Sequence, residues 1–232
     1  MLVPGERPVL IQYHAVLFDL DGTLVDSGRD IIASVRYALD RVFSDHDQPD
    51  DADILVLIGR PLESIVRELG YPADKESTRR FAEAYRGHYA EHYNDSTRLY
   101  PGVKELIEQL RAAGVRLGLV TTKHQIQAEF TLAGIGLSCY FEYVHGWEEG
   151  RKHKPDPEPI LTALGRLDIP PGLALMVGDS ELDVEAAKAA RVDTCAVTYG
   201  FRPAWFLKSL NPDFLVAHPA DILSIVFSLD VG

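Results

Sequence analysis

The chain has 232 residues, enough for one large domain or two modest ones with a real core. Its formal net charge of -12 argues against a nucleic-acid surface or an anionic membrane as the main partner, but a metal and a few local cations still allow a small anionic substrate. The two cysteines, Cys139 and Cys195, have no metal-type spacing and read as buried thiols in a reducing compartment. Met1 to Gln12 lacks a leader's charged-then-apolar pattern and no apolar stretch approaches a membrane span, so the expectation is a soluble, cytoplasmic protein.

The first element is an apolar strand, Ala15-Val16-Leu17-Phe18, that ends abruptly in Asp19-Leu20-Asp21-Gly22-Thr23. Carboxylates are costly to bury without a partner, and a hard divalent cation taking oxygen ligands is a sufficient one. Asp19 and Asp21 are two apart, so an extended backbone turns both toward one side. An EF-hand would need a third oxygen ligand before its glycine and a helix in front; here an apolar strand stands in front instead.

Helices follow. Ser27 is placed to cap a helix over about 30–43. A short helix covers about 52–57, and Pro61 opens another through Leu69. A long helix runs over about 75–93, on which Phe81, Tyr85, Tyr89 and Tyr93 recur every four residues and read as packing. From Tyr100-Pro101-Gly102 onward strands and helices alternate. Strands are expected at 115–120, 141–144, 173–177, 194–197 and 214–216, and helices at 103–113, 125–133, 157–167, 182–191, 203–210 and 220–227. Such βα alternation implies an α/β fold with a doubly wound parallel sheet. The N-terminal strand is separated from that series by about seventy helical residues. The expected division is therefore an α/β core of 13–27 and 98–232 with an inserted helical domain at 28–97.

Function in such a sheet lies beyond the carboxyl ends of the strands, and three further motifs fall there. Thr121-Thr122-Lys123 follows an apolar strand and offers a hydroxyl and backbone N–H groups to phosphate oxygens. Arg151 to Pro159 is basic on one side and proline-rich on the other; read alone it is a solvated loop that starts a helix, while a lysine there, Lys154 with Lys152 as its competitor, is able to balance phosphate and carboxylate charge. Gly178-Asp179-Ser180-Glu181-Leu182-Asp183 is a second apolar strand ending in acids, with Asp179 and Asp183 able to reach one cation from a loop and a helix start. Alone, Asp183 would also serve as a dipole partner of that helix.

Taken together and in order, Asp-x-Asp-Gly-Thr at 19–23, Thr121, Lys-Pro-x-Pro at 154–157 and Gly-Asp-x-x-x-Asp at 178–183 resemble the haloacid dehalogenase superfamily of phosphatases over nearly the whole chain. The resemblance implies a Rossmann-like core with a mobile helical cap, a magnesium cofactor and a small phosphorylated substrate. Asp19 is then the nucleophile that forms an aspartyl-phosphate, and Asp21 the general acid and later base. Asp19, the Asp21 carbonyl and Asp179 hold the metal, Asp183 orients metal-bound water or supports the ligands, and Thr121 and Lys154 bind phosphoryl oxygens. Gly22 and Thr122 are placed against substrate, Thr122 by its backbone because it stands where asparagine is common. Arg60, in the cap loop, is placed to recognise a carboxylate or second phosphate.

Within the superfamily, Asp19 to Ser27, the Ile58-Gly59-x-Pro61-Leu62 stretch and Lys154 to Pro159 resemble phosphoglycolate phosphatases, with bacterial pyrophosphatases close behind. The presence of Asp21 favours phosphate esters or anhydrides over carbon–halogen or carbon–phosphorus bonds. A phosphosugar mutase of the β-phosphoglucomutase type shares the motifs but requires a catalytic bisphosphate, and a non-catalytic binding module would show no magnesium-dependent turnover.

Overall fold

The computed structural model describes residues 9–229; the leaderless reading of residues 1–8 and the last three residues of the expected core lie outside them. In chain order the N-terminal part contains β1 (Val9–Ile11), β2 (Ala15–Phe18) and β3 (Val25–Asp26). The helices α1 (Gly28–Val42), α2 (Asp51–Leu55), α3 (Leu62–Glu68) and α4 (Lys75–His92) come next. The chain continues through β4 (Arg98–Leu99), α5 (Val103–Ala112), β5 (Arg116–His124), α6 (Gln125–Gly134) and β6 (Tyr143–Trp147). It then forms α7 (Glu158–Leu167), β7 (Ala174–Gly178), α8 (Glu181–Ala190), β8 (Asp193–Val197) and α9 (Ala204–Ser209), and closes with β9 (Phe214–Val216), α10 (Pro219–Val226) and β10 (Phe227–Leu229).

Six strands form one parallel sheet in the order β6-β5-β2-β7-β8-β9. The first motif strand, β2, therefore sits inside the sheet between β5 and β7, and this explains its unbroken apolar run. Alternate residues feed two cores. Val16 and Phe18 pack with Leu106, Leu117 and Val177 on one face, while Ala15 and Leu17 pack with Leu164, Leu167 and Met176 on the other. Burial of both faces is the usual condition of a parallel strand.

The helices α1–α4 have their own apolar cluster, including Val35, Leu39, Ile54, Val66 and Phe81. The chain leaves for this block and returns from it through a two-stranded antiparallel ribbon, Val25 opposite Leu99 and Asp26 opposite Arg98. Buried Asp30 fastens the return: its carboxylate accepts the backbone N–H of Ser96 (2.9 Å) and Thr97 (2.9 Å) and the Thr97 hydroxyl (2.8 Å).

The structure differs from the sequence reading in several places. β5 does not stop at Val120 but runs through Thr121, Thr122 and Lys123 to His124, with a register shift after Val120. The antiparallel pair β1–β10 and the β3–β4 ribbon are short and were not legible as strands. Ser27 precedes α1 but makes no capping bond; its hydroxyl turns to Asp21 instead. Cys195 is buried as expected, whereas Cys139 is exposed in a short 3-10 turn at Ser138–Tyr140. Among the described residues no helix is long and apolar enough to cross a membrane.

Candidate active site

Asp19 is the first residue past β2, its N–H bonded to Val177 O of β7 (2.9 Å). Beyond it the chain folds back sharply. The N–H groups of Leu24 and Val25 return to Leu20 O, and Gly22 N–H reaches Val25 O. Gly22 has φ +87°, and a Cβ there would fall inside the Asp179 carboxylate. Glycine is required for both reasons. Across the sheet, Gly178 ends β7 so tightly against Asp183 that it too has no room for a side chain.

These turns gather Asp19, Asp179 and Asp183, all buried, so that one carboxylate oxygen of each lies within 4.8 Å of the others. Lys154, delivered by the loop before α7 and itself buried, donates to Asp19 Oδ1 (2.8 Å) and Asp183 Oδ1 (2.5 Å). Asp183 Oδ2 accepts the Ser180 N–H (3.1 Å) and hydroxyl (2.7 Å) in a capping box at the start of α8. Asp179 accepts the Phe201 N–H (2.7 Å) and, at 3.4 Å, the Thr23 hydroxyl. Lys152, the competing lysine, is exposed and paired with Asp156 and Glu158.

Three buried carboxylates face one ammonium, and the imbalance is visible in their proton affinities. Asp19 is pushed up to about 6, with burial raising it most, Lys154 opposing and Asp183 adding to the rise. Asp179 is raised well above the carboxylate range by burial and then by its two acidic neighbours. Burial disfavours the charged form of Lys154, but Asp183 and Asp19 outweigh it and raise its pKa. With the carboxylates ionised, the cluster carries two uncompensated negative charges and presents only hard oxygen donors. That is the donor set and charge of a site for a hard divalent cation.

Asp21 stands apart from this triad. It accepts the Ser27 hydroxyl at Oδ1 (2.6 Å) and the Lys123 ammonium at Oδ1 (2.9 Å) and Oδ2 (3.1 Å). Lys123 also donates to the hydroxyl of Tyr89, on α4, and lies 4.8 Å from the centre of that ring. Thr121 is buried two residues beyond Leu119, the partner of Phe18, and its hydroxyl accepts the Lys123 N–H (3.2 Å). Thr122 faces a cavity instead, close to Gly59.

Lys123 and Tyr89 were missed by the sequence reading. The signal for Lys123 was available: residues two apart on a strand share a face, so Lys123 follows Thr121 toward the acids. The aromatic stripe of α4 does pack, through Phe81, but Tyr85, Tyr89 and Tyr93 also wall the cavity.

Arg60 lines the same cavity, with its guanidinium engaged. Nε and Nη2 donate to Glu181 Oε1 (3.1 and 2.9 Å), and Nη1 pairs with Glu68. Three of about five N–H groups are thus used. Glu181 is held in turn by buried Arg202 (2.8 Å), which also donates to Ile58 O (2.9 Å). Burial opposes ionisation of Glu181, yet Arg202 and Arg60 keep its pKa below the usual value.

A family model for haloacid dehalogenase-like hydrolases matches residues 16–197. Pyrophosphatase PpaX of Bacillus velezensis is 34% identical over 211 residues, 91% of this chain and 95% of that one. A phosphoglycolate phosphatase of Aquifex aeolicus is 31% identical over 213 residues, 92% and 96% of the two chains. Among solved structures, a predicted phosphoglycolate phosphatase from Haemophilus somnus superposes with TM-score 0.82 at 29% identity, covering 92% of this chain and 98% of that one. A sheet that brings the Asp19, Lys154 and Asp179 segments to one acid cluster, and relatives matched almost end to end, have one reading: the chain belongs to the haloacid dehalogenase-like hydrolases, and it is a phosphatase of that family.

Proposed function

We propose that the protein is a magnesium-dependent phosphatase that hydrolyses a small phosphorylated metabolite through an aspartyl-phosphate on Asp19. The observation that carries this is the contrast between Asp19 and Asp21, two residues apart just beyond β2. Asp19 meets Lys154 and the acid triad, while Asp21 faces the cavity. Asp19 attacks phosphorus as the bond to the leaving oxygen breaks. Asp21 gives that oxygen a proton, then takes one from the water that attacks the phosphoenzyme. Lys154 and Thr121 hold the phosphoryl oxygens, and Lys154 also keeps Asp19 in line.

Asp19, Asp179 and the Asp21 carbonyl are the residues that would hold magnesium, whose charge offsets the repulsion between a carboxylate and a phosphate dianion. Asp183 acts by fixing Lys154 and the Ser180 turn. The helical block at 28–97 is the cap over the α/β core, excluding water while the phosphoenzyme forms. Arg60, with two N–H groups uncommitted, borders the substrate. The relatives' names make phosphoglycolate and pyrophosphate the first substrates to test, in a cytoplasmic setting that keeps Cys139 and Cys195 as thiols.

The test is phosphate release with magnesium over phosphoglycolate, pyrophosphate and sugar phosphates, with Asp19→Asn as control. Turnover that depends on Asp19 and on the metal is the expected result. A requirement for a sugar bisphosphate with little phosphate released would favour a mutase, and absence of turnover on every substrate would remove the enzymatic mechanism.

A further inference from the structure

The cavity between the helical block and the core has a volume of about 740 Å³. Its walls include Asp21, Thr122 and Lys123 but not Asp19, Asp179 or Asp183. In the mechanism proposed above, the phosphoryl group sits at Asp19 and the leaving oxygen at Asp21. The cavity therefore begins where the leaving group begins. A dry cavity of about 150 Å³ accommodates a benzene ring, so this space exceeds the needs of a glycolate or a second phosphate several-fold.

The chemistry of the walls is apolar and aromatic. Ile58, Leu62 and Tyr85 line the side of the helical block, and Ile126, Phe130 and Trp147 the side of the core. Ile126 and Phe130 keep 54% and 58% of their surface exposed, large apolar side chains left uncovered at the mouth of a site. The inner cations are already matched: Lys123 by Asp21, Arg60 by Glu181 and Glu68. Arg86 and His124 are exposed, and Glu63 adds a negative charge to the lining. Such a wall favours uncharged, water-averse surface over a second anion.

We infer that the site also takes phosphate monoesters whose alcohol is bulky and apolar, an aliphatic chain or an aryl group lying between Tyr85 and Phe130. The inference rests on the phosphatase reading for its orientation, and the reaction is the same. The phosphorus–oxygen bond to the alcohol breaks, the alcohol leaves with the proton of Asp21, and water supplies the oxygen of the phosphate released.

The experiment is a series of n-alkyl phosphates from ethyl to octyl, with phenyl phosphate, measured twice: as kcat/KM on the wild type with magnesium, and as binding to Asp19→Asn by calorimetry. Each buried methylene should tighten binding about two- to fourfold, and kcat/KM should rise in parallel. Phe130→Glu, at an exposed position that spares the fold, should flatten both series. Binding that tightens with chain length while no ester is turned over would sustain the apolar site and sink the phosphatase mechanism. A flat binding series, or one that Phe130→Glu leaves as steep as before, overturns the inference whatever the turnover.

Discussion

Lys123 Nζ lies 2.9 Å from Asp21 Oδ1 and 3.1 Å from Oδ2, and the two side chains are only 4% and 12% exposed. The same ammonium meets the Tyr89 hydroxyl of α4, so the carboxylate proposed to serve the leaving oxygen is held from the core and from the helical block together. Lys123→Met should leave Asp21 held by the Ser27 hydroxyl without the ammonium. Turnover of alkyl phosphates, which need a proton delivered, should fall about ten- to a hundredfold, up to the lower edge of what general acid catalysis contributes. 4-Nitrophenyl phosphate, whose leaving group needs little help, should lose far less. Equal losses on both would mean that Lys123 matters only for folding.

Asp19→Asn should reduce turnover to background while preserving the circular dichroism spectrum, because the amide keeps the shape and loses the nucleophile. Asp179→Asn should raise the magnesium concentration for half-maximal activity at least about tenfold, since it removes one charged hard ligand. Wild-type magnesium dependence in that variant would remove Asp179 from the metal site.

Gly22→Ala and Gly178→Ala should each damage the site without replacing any residue assigned to the chemistry. At Gly22 the φ of +87° strains any other residue, and the new methyl displaces the Asp179 carboxylate. At Gly178 the methyl displaces Asp183, and with it Lys154. Each should cost about 1–3 kcal/mol of stability, read in urea melts, and should weaken magnesium activation. Normal activation in Gly22→Ala would show that the turn has slack that its geometry does not suggest.

His145, on β6, is buried with neither ring nitrogen in a hydrogen bond, and burial holds its pKa below the ordinary value. The unfolded chain therefore binds a proton first as pH falls. Stability should be full above an unfolded pKa of about 6.5 and decline below it. His145→Gln should shrink the difference between urea midpoints at pH 7.5 and 5.5. An unchanged difference would assign the acid sensitivity elsewhere.

The sequence carried the sheet and the acid cluster well because both rest on local patterns. An apolar strand that ends in acids is legible twice, at Phe18-Asp19 and at Gly178-Asp179, and βα alternation put both ends on one side. What escaped depends on the approach of distant segments. Arg60 looked available because nothing in its neighbourhood announces Glu181, 121 residues away. The tyrosines of α4 looked like plain packing because helical spacing cannot tell a core from a cavity wall. Ser27 looked like a cap because its position suits one, and only the turn at Gly22 brings Asp21 within its reach.

The ribbon pairing Val25 with Leu99 and Asp26 with Arg98 has a consequence for how such a molecule diversifies. Departure and return are hydrogen-bonded neighbours, and the entropy of closing the excursion between them grows only with the logarithm of its length. Residues 28–97 should in this sense behave as an exchangeable cassette. A graft from a relative should reset the choice of leaving group while the phosphoryl chemistry stays with the host. Conditions travel with every graft: the incoming helices must offer Lys123 a hydroxyl where Tyr89 now stands, and Glu181 and Arg202 the partners that Arg60 and the Ile58 carbonyl now supply.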